Sequence, residues 1–132
     1  MITHLVDSDR LVDYLNDKLG AKEALDRLIE DAALSTSIIV IAEVREGVLP
    51  PAPAELVRRF EDLRASVLVH TIDDEVVDHF IRLRSELRRA GKPIGDHDLW
   101  IAATALRYDL TLVSRDTHFD RIPQLKRDAM LT

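Results

Sequence analysis

The sequence predicts one α/β domain in which a parallel sheet is covered by helices on both faces. Short β-branched apolar segments alternate with amphipathic segments of helical period along the chain. Strands separated by helical crossovers run parallel, and helices then cover both faces of the sheet. The length of 132 residues, 46% of them hydrophobic, gives enough core for one domain and no room for a second. We therefore expect a three-layer α/β/α sandwich over residues 1–132, with four or five short strands.

In the first part of the chain, the spacing of apolar residues alternates between that of a strand and that of a helix. The predicted order is a strand over residues 2–6, helices over 8–19 and 21–31, a strand over 34–36 and a helix over 37–47. Asp7 to Asp9 suit the start of the first helix, because short polar side chains cap helix N-termini. Gly20 and Gly47 end the first and third of these helices.

The second part begins after the only proline cluster, at residues 50–53. A helix over 54–64 leads into a strand over 67–71, which is the clearest β-branched run in the chain. Asp73 or Asp74 caps the next helix, whose apolar periodicity continues to Gly91. A helix over 96–108 and a strand over 110–113 complete the predicted pattern.

Composition excludes several classes of protein. There is no cysteine, which excludes disulfides, thiolate zinc sites, iron–sulfur clusters and cysteine nucleophiles. The longest apolar run covers residues 38–42, far short of the roughly 20 residues of a membrane helix, so we expect a cytoplasmic protein without a membrane segment. The net charge of −6 disfavours nucleic-acid binding through bulk charge. It is compatible with a nuclease whose acidic residues gather around a cation.

Four acidic residues fall where parallel strands end. Asp7 and Asp116 directly follow strands, and Glu43 and Asp98 lie near helix starts. Carboxylates crowded together need a compensating cation, and Mg²⁺ or Mn²⁺ is the cation that oxygen ligands favour. The chemistry expected of such a site is phosphodiester hydrolysis. Taken singly, Asp7 and Asp98 are equally explained as helix-terminal acids, whereas Glu43 interrupts an apolar run.

Four blocks of sequence resemble a PIN domain, in particular the VapC toxins of bacterial and archaeal type II toxin–antitoxin systems. The first block is Leu5-Val6-Asp7-Ser8 with Leu11-Val12-Asp13-Tyr14-Leu15, and the second runs from Ser35-Thr36-Ser37-Ile38 through Ala42-Glu43 to Arg45 and Gly47. The third is Pro93-Ile94-Gly95 with Asp98-Leu99 and Ile101-Ala102-Ala103. The fourth is Leu112-Val113-Ser114 with Asp116, Phe119 and Ile122-Pro123. The resemblance extends from Ile2 to about Leu125.

The resemblance implies a PIN-like fold and a Mg²⁺- or Mn²⁺-dependent endoribonuclease that a cognate VapB-like antitoxin inhibits and that forms a homodimer. The family's acids match Asp7, Glu43, Asp98 and Asp116, as catalytic residues and metal ligands. Its hydroxyl two residues before the last acid matches Ser114.

Three further residues qualify this assignment. Ser8, like Ser114, is expected to support a ligand or a water molecule. Asp9, where many relatives have Asn, and Asp96 are extra acids that either deepen the metal site or face solvent. We favour Asp98 over Asp96 because the Asp-Leu-x-Ile-Ala-Ala pattern fixes the register.

Three arginines are candidates for contacts with RNA phosphates. Arg84 and Arg88 lie one turn apart in the most basic stretch, residues 82–92, which is otherwise interpreted as a solvated helix face. Arg115 adjoins Asp116 and pairs either with an acid or with the scissile phosphate.

Other functions are weighed against the same residues. A zinc hydrolase using His97 and His118 is disfavoured because the histidines lack ligand spacing. A serine hydrolase lacks a Gly-x-Ser-x-Gly elbow, and a receiver domain lacks a lysine after a late strand. A structure-specific DNA nuclease would use the same acids. A non-catalytic PIN-like module that binds a protein partner gives no reason for four clustered carboxylates.

Overall fold

The computed structural model describes residues 1–131, which alternate between strands and helices as predicted. The elements in chain order are β1 (His4–Val6), α1 (Ser8–Leu15), α2 (Ala21–Glu30), β2 (Leu34–Ser37), α3 (Ile38–Gly47), α4 (Ala54–Ser66), β3 (Leu68–His70), α5 (Asp74–Arg89), α6 (Asp96–Arg107), β4 (Thr111–Val113) and β5 (Arg127–Asp128). A 3₁₀ turn, Thr117–Arg121, lies between β4 and β5.

The five strands form one parallel sheet in the order β3-β2-β1-β4-β5. Leu5 of β1 lies opposite Ser35 of β2 on one side and Leu112 of β4 on the other. The chain winds outward from β1 to β3 and then returns to the other side of β1 with β4. In parallel α/β sheets the ligand crevice lies at the carboxyl ends of the strands where this reversal occurs. The predicted parallel sandwich is confirmed, and its crevice lies between β1 and β4.

Strand β2 is fully buried although its residues are largely polar. The Ser35 and Thr36 hydroxyls donate hydrogen bonds to the carbonyls of His4 and Val6, each at 2.9 Å. The Ser37 hydroxyl accepts from the N–H of Ile39 and caps α3. Buried polar groups are tolerated when they are hydrogen-bonded, so these contacts fix β2 against β1 and set the start of α3.

Helix α6 is buried on most of its surface, which makes it a rigid support for its N-terminal residues. Its buried positions include three alanines, which let it approach β4, α3 and α5 closely. None of the helices within residues 1–131 is long and apolar enough to cross a membrane.

One sequence-based prediction about local structure is wrong. The first helix ends at Leu15 rather than at residue 19, because Asn16 caps it and the chain turns with positive φ at Asp17 and Leu19. Leu19, which lies within the predicted first helix, is 55% exposed. Strand β5 and the 3₁₀ turn follow the last strand that the sequence located, although the expected four or five strands allow for β5.

Candidate active site

Asp7 and Ser114 meet in the crevice between β1 and β4. Asp7 caps α1 by accepting the Ser8 N–H at 2.8 Å, and the Ser114 hydroxyl donates to its other oxygen at 2.8 Å. Asp7 is only 5% exposed. Burial raises the pKa of Asp7 to about 7; the Ser114 hydrogen bond opposes this shift, and the charges of Asp9 and Asp98 add to it. The Asp7 carboxylate is therefore held in place at an energetic cost that a cation would relieve.

Asp98 occupies the first turn of α6. Its carboxylate interacts electrostatically with Asp7 and with the other two predicted acids. Burial raises the pKa of Asp98, and the negative charges of Asp116 and Glu43 raise it further. His118 and His97 act in the opposite direction. All four predicted acids thus belong to one electrostatic cluster.

Glu43 reaches this cluster from α3. Its side chain is 25% exposed, and Oε2 lies 3.6 Å from Nδ1 of His97. The other oxygen, Oε1, is buried and has no hydrogen-bond partner within residues 1–131. An unpaired buried carboxylate oxygen is costly, so this atom is available to a ligand or to a water molecule.

Asp116 follows β4 and caps the 3₁₀ turn by accepting the His118 N–H at 2.9 Å. Its own N–H donates to the Ser114 hydroxyl at 3.1 Å. The Ser114 hydroxyl therefore contacts both Asp7 and the backbone of Asp116, which explains why a small hydroxyl residue occupies this position.

The four acids lie near one another without forming a closed metal shell. In the described part of the chain, no three His, Asp or Glu side chains are arranged to hold one ion together. Mg²⁺ keeps several water ligands and commonly takes one or two protein carboxylates together with substrate phosphates. The oxygen-only donor set and the unpartnered Glu43 Oε1 therefore fit a hard divalent cation.

The extra acids are separated by the structure. Asp96 is largely exposed and pairs with Arg84, whereas Asp98 is the acid near Glu43 and Asp116. Asp9 is part of the cleft, accepting the Arg115 N–H at 2.9 Å and the Arg10 N–H at 2.6 Å. Burial raises the pKa of Asp9, and these two hydrogen bonds oppose the shift.

Of the two predicted supporting serines, only Ser114 uses its hydroxyl. Ser8 contributes its backbone N–H to Asp7, and its hydroxyl makes no hydrogen bond within residues 1–131. Ser8 supports the site through the backbone because Asp7 caps the helix that Ser8 begins.

The three candidate phosphate contacts differ in their surroundings. Arg84 stacks on Phe80 and pairs with Asp96, and Arg115 pairs with Asp13 through two hydrogen bonds. Arg88 has no acidic partner among residues 1–131 and lines a small pocket that also includes Asp96 and Leu99 of α6. Arg88 is thus the most available of the three cations.

A buried pair behind the cleft was not among the predicted site residues. Arg10 is 0% exposed and donates to Asp13, itself 6% exposed, at 2.9 Å. Burial of Asp13 favours its neutral form, but hydrogen bonds from Arg115 and Arg10 outweigh this effect and lower its pKa. The sequence offers only a weak signal for this pair, an arginine and an aspartate three residues apart on α1.

The PIN domain family model matches residues 5–125. The chain belongs to the PIN domain family. A relative named Ribonuclease VapC5, from Mycobacterium tuberculosis, is 31% identical over 98 residues, which cover 72% of this chain and 73% of the relative.

Solved structures share this PIN fold. A DNA-bound VapBC from Salmonella typhimurium superposes with a TM-score of 0.86 at 24% identity, covering 97% of this chain and 98% of that one. VapBC-1 from nontypeable Haemophilus influenzae superposes with a TM-score of 0.73 at 25% identity, covering 96% and 97% of the two chains. The family resemblance seen in the four sequence blocks is thereby confirmed.

Proposed function

We propose that this PIN domain is the toxin of a type II toxin–antitoxin pair, an endoribonuclease that hydrolyses RNA phosphodiester bonds with Mg²⁺ or Mn²⁺. The observation that carries the proposal is the electrostatic cluster of Asp7, Glu43, Asp98 and Asp116 at the crevice of the sheet. The relative named Ribonuclease VapC5 supports the same reaction. The VapBC-1 structure supports a VapB-like antitoxin as partner. A homodimer belongs to the proposal through the family resemblance.

Each acid has a role that follows from its surroundings. Asp7 and Asp98 are the principal ligands of the cation, since burial disfavours their ionised forms and a cation would restore them. Asp116 binds it directly or through water. Glu43 is a further ligand, or it orients the attacking water through Oε1. When bound, the cation supplies activation of the water and stabilisation of the leaving oxygen.

The proposed phosphate contacts lie beside α5. Arg84 and Arg88 line a small pocket together with Pro93, Ile94 and Asp96, next to the first turn of α6, which carries Asp98. The chain has a net charge of −6, so phosphate binding depends on such a local patch and on the cation.

The experiment compares an aspartate of the site with an aspartate outside it. Cleavage of labelled RNA is measured with Mg²⁺ and with EDTA for the wild type, Asp98→Asn and Asp26→Asn. We expect Asp98→Asn to lose activity by at least about 100-fold, since it removes a charge at the cation. Asp26→Asn is the matched control and should stay within about threefold of the wild type, because Asp26 accepts hydrogen bonds from Tyr14 and Lys22 away from the four acids.

Each alternative has its own result. Wild-type cleavage rates in a folded Asp98→Asn variant would contradict the assignment of the site. Cleavage of a branched or nicked DNA in preference to RNA would contradict the substrate class. Cleavage that persists in EDTA would contradict the dependence on a divalent cation.

A further inference from the structure

The loop of residues 114–116, which carries Asp116, is attached to α1 and to its N-cap Asp7 by hydrogen bonds from Ser114 and Arg115. The Ser114 hydroxyl donates to Asp7, and the Arg115 N–H donates to Asp9 at 2.9 Å. The Arg115 guanidinium donates to both oxygens of Asp13, at 2.8 and 3.2 Å. No hydrogen bond within residues 1–131 joins Asp116 itself to α1, so the position of Asp116 depends on the residues before it.

Asp13 is a fixed point rather than a mobile surface acid. Its carboxylate also accepts from the fully buried Arg10 at 2.9 Å. Arg10 in turn donates to the carbonyls of Leu19 and Met130, each at 3.0 Å. Three separate segments of the chain therefore converge on the arginine that holds Asp13.

The opposite side of the loop is held by β5. The Ser114 N–H donates to the carbonyl of Asp128 at 3.2 Å, and Arg127 donates to the carbonyl of Ser114 at 3.0 Å. On the α1 side, the pairing of the Arg115 side chain with Asp13 holds the loop. Paired N–H donors on a guanidinium fix orientation as well as distance, which a single contact does not.

We propose that Arg115 and Asp13 are positioning residues whose ion pair holds the loop of residues 114–116 on α1 and thereby places Asp116 opposite Asp98. The role of Arg115 is then to orient a carboxylate, and it does not contact a phosphate. This inference rests on the proposed function, because the consequence of misplacing Asp116 is read as slower RNA cleavage.

The two roles of Arg115 predict opposite kinetics. A positioning role predicts that Arg115→Met lowers kcat by about 10- to 100-fold and leaves KM and its salt dependence unchanged. A phosphate contact predicts a higher KM and a salt slope reduced by about 0.7. Asp13→Asn separates the roles further: it lowers kcat if the pair positions the loop, and it lowers KM if it releases Arg115 for a phosphate.

The experiment measures kcat, KM and salt dependence on single-stranded RNA for four variants. They are Arg115→Met, Arg115→Lys, Asp13→Asn and the double variant Asp13→Asn with Arg115→Met. Residues that act as one unit give non-additive effects, so the double variant should be no slower than the slower single variant. Arg115→Lys should recover part of kcat, since lysine keeps the charge and loses the paired geometry.

The variants allow for loss of folding and include an activity control. Asp13→Asn removes the counterion of the buried Arg10, whereas Arg115→Met leaves the Arg10–Asp13 pair intact. Arg115→Met therefore keeps the test valid if Asp13→Asn does not fold. Asp26→Asn is the matched control: Asp26 also accepts from two donors, Tyr14 and Lys22, outside the cleft. Its kcat should equal that of the wild type.

Amide hydrogen exchange tests, independently of catalysis, whether the Arg115–Asp13 pair holds the loop of residues 114–116. In the metal-free protein, Arg115→Met should raise the exchange rate of the residue 115 and 116 amides by about tenfold or more, and Asp26→Asn should not. Unchanged exchange, a raised KM or a lowered KM in Asp13→Asn would each overturn the proposal. If the wild type cleaves no RNA, the proposed function fails, and the exchange rates still decide whether the pair holds the loop.

Discussion

Asp7→Asn should make the metal-free protein more stable, and the gain should depend on pH. The pKa of Asp7 is about 7 in the folded chain because of burial, against the ordinary value of 3.8. At about 1.36 kcal/mol per pKa unit, ionised Asp7 opposes folding by about 4 kcal/mol. Because the folded-state pKa lies above the unfolded one, this cost is absent below about pH 4 and complete above about pH 7.

The asparagine keeps an oxygen that accepts the Ser8 N–H and removes the charge. We therefore expect the difference in free energy of unfolding between variant and wild type to grow by about 3 kcal/mol from pH 5 to pH 8. Urea unfolding in EDTA at the two pH values measures it. Asp26→Asn is the control, because the pKa of Asp26 is lowered by its hydrogen bonds from Lys22 and Tyr14 despite burial, so its effect should not change over this range.

Addition of Mg²⁺ completes the test. A cation that binds only the folded state stabilises it by about 2.7 kcal/mol at 100 times its Kd. Wild type should gain this stability, and Asp7→Asn should gain much less because one principal ligand has lost its charge. A stability difference that is equal at pH 5 and pH 8, or an equal gain from Mg²⁺ in both proteins, would refute the assignment of Asp7 as a strained cation ligand.

Two further predictions concern the RNA substrate and the antitoxin. Arg88→Gln should weaken binding across many RNA sequences and reduce the slope of log affinity against log salt concentration by about 0.7, with Mg²⁺ affinity unchanged. An unchanged slope would show that Arg88 lies on a solvated helix face and contacts no phosphate. Co-expression with the cognate antitoxin should raise the yield and suppress cleavage, because an antitoxin Arg or Lys can pair with the cleft carboxylates; a purified complex that cleaves RNA as fast as the free chain would contradict this mechanism.

The sequence predicted the parts of the fold that depend on local periodicity. Strands β1 to β4 and helices α2 to α6 lie where their apolar patterns place them, with ends shifted by a few residues. Strand β5 has only two residues, Arg127–Asp128, and is formed by pairing with β4. No local sequence pattern therefore predicts it. The early end of α1 likewise depends on Asn16 and on the turn that follows.

The candidate site was predictable where a residue breaks its local pattern. Glu43 stands in an apolar run, and Asp7 and Asp116 stand at strand ends, so each was visible in the sequence. Arg10 and Asp13 were not chosen, because an arginine and an aspartate three residues apart on a helix commonly form a surface pair. Their burial arises from carbonyls at Leu19 and Met130 and from Arg115, which only the tertiary fold brings together.

The location of the acids on the fold explains how the protein stays folded although several carboxylates lie close together. Asp7 and Ser114 follow the adjacent strands β1 and β4, and Asp98 begins a helix that is buried on most of its surface. Packing of these elements holds the carboxylates near one another although their ionisation opposes folding. The cleft is therefore preorganised for positive charge, so a divalent cation and an inhibitory basic side chain should compete for it.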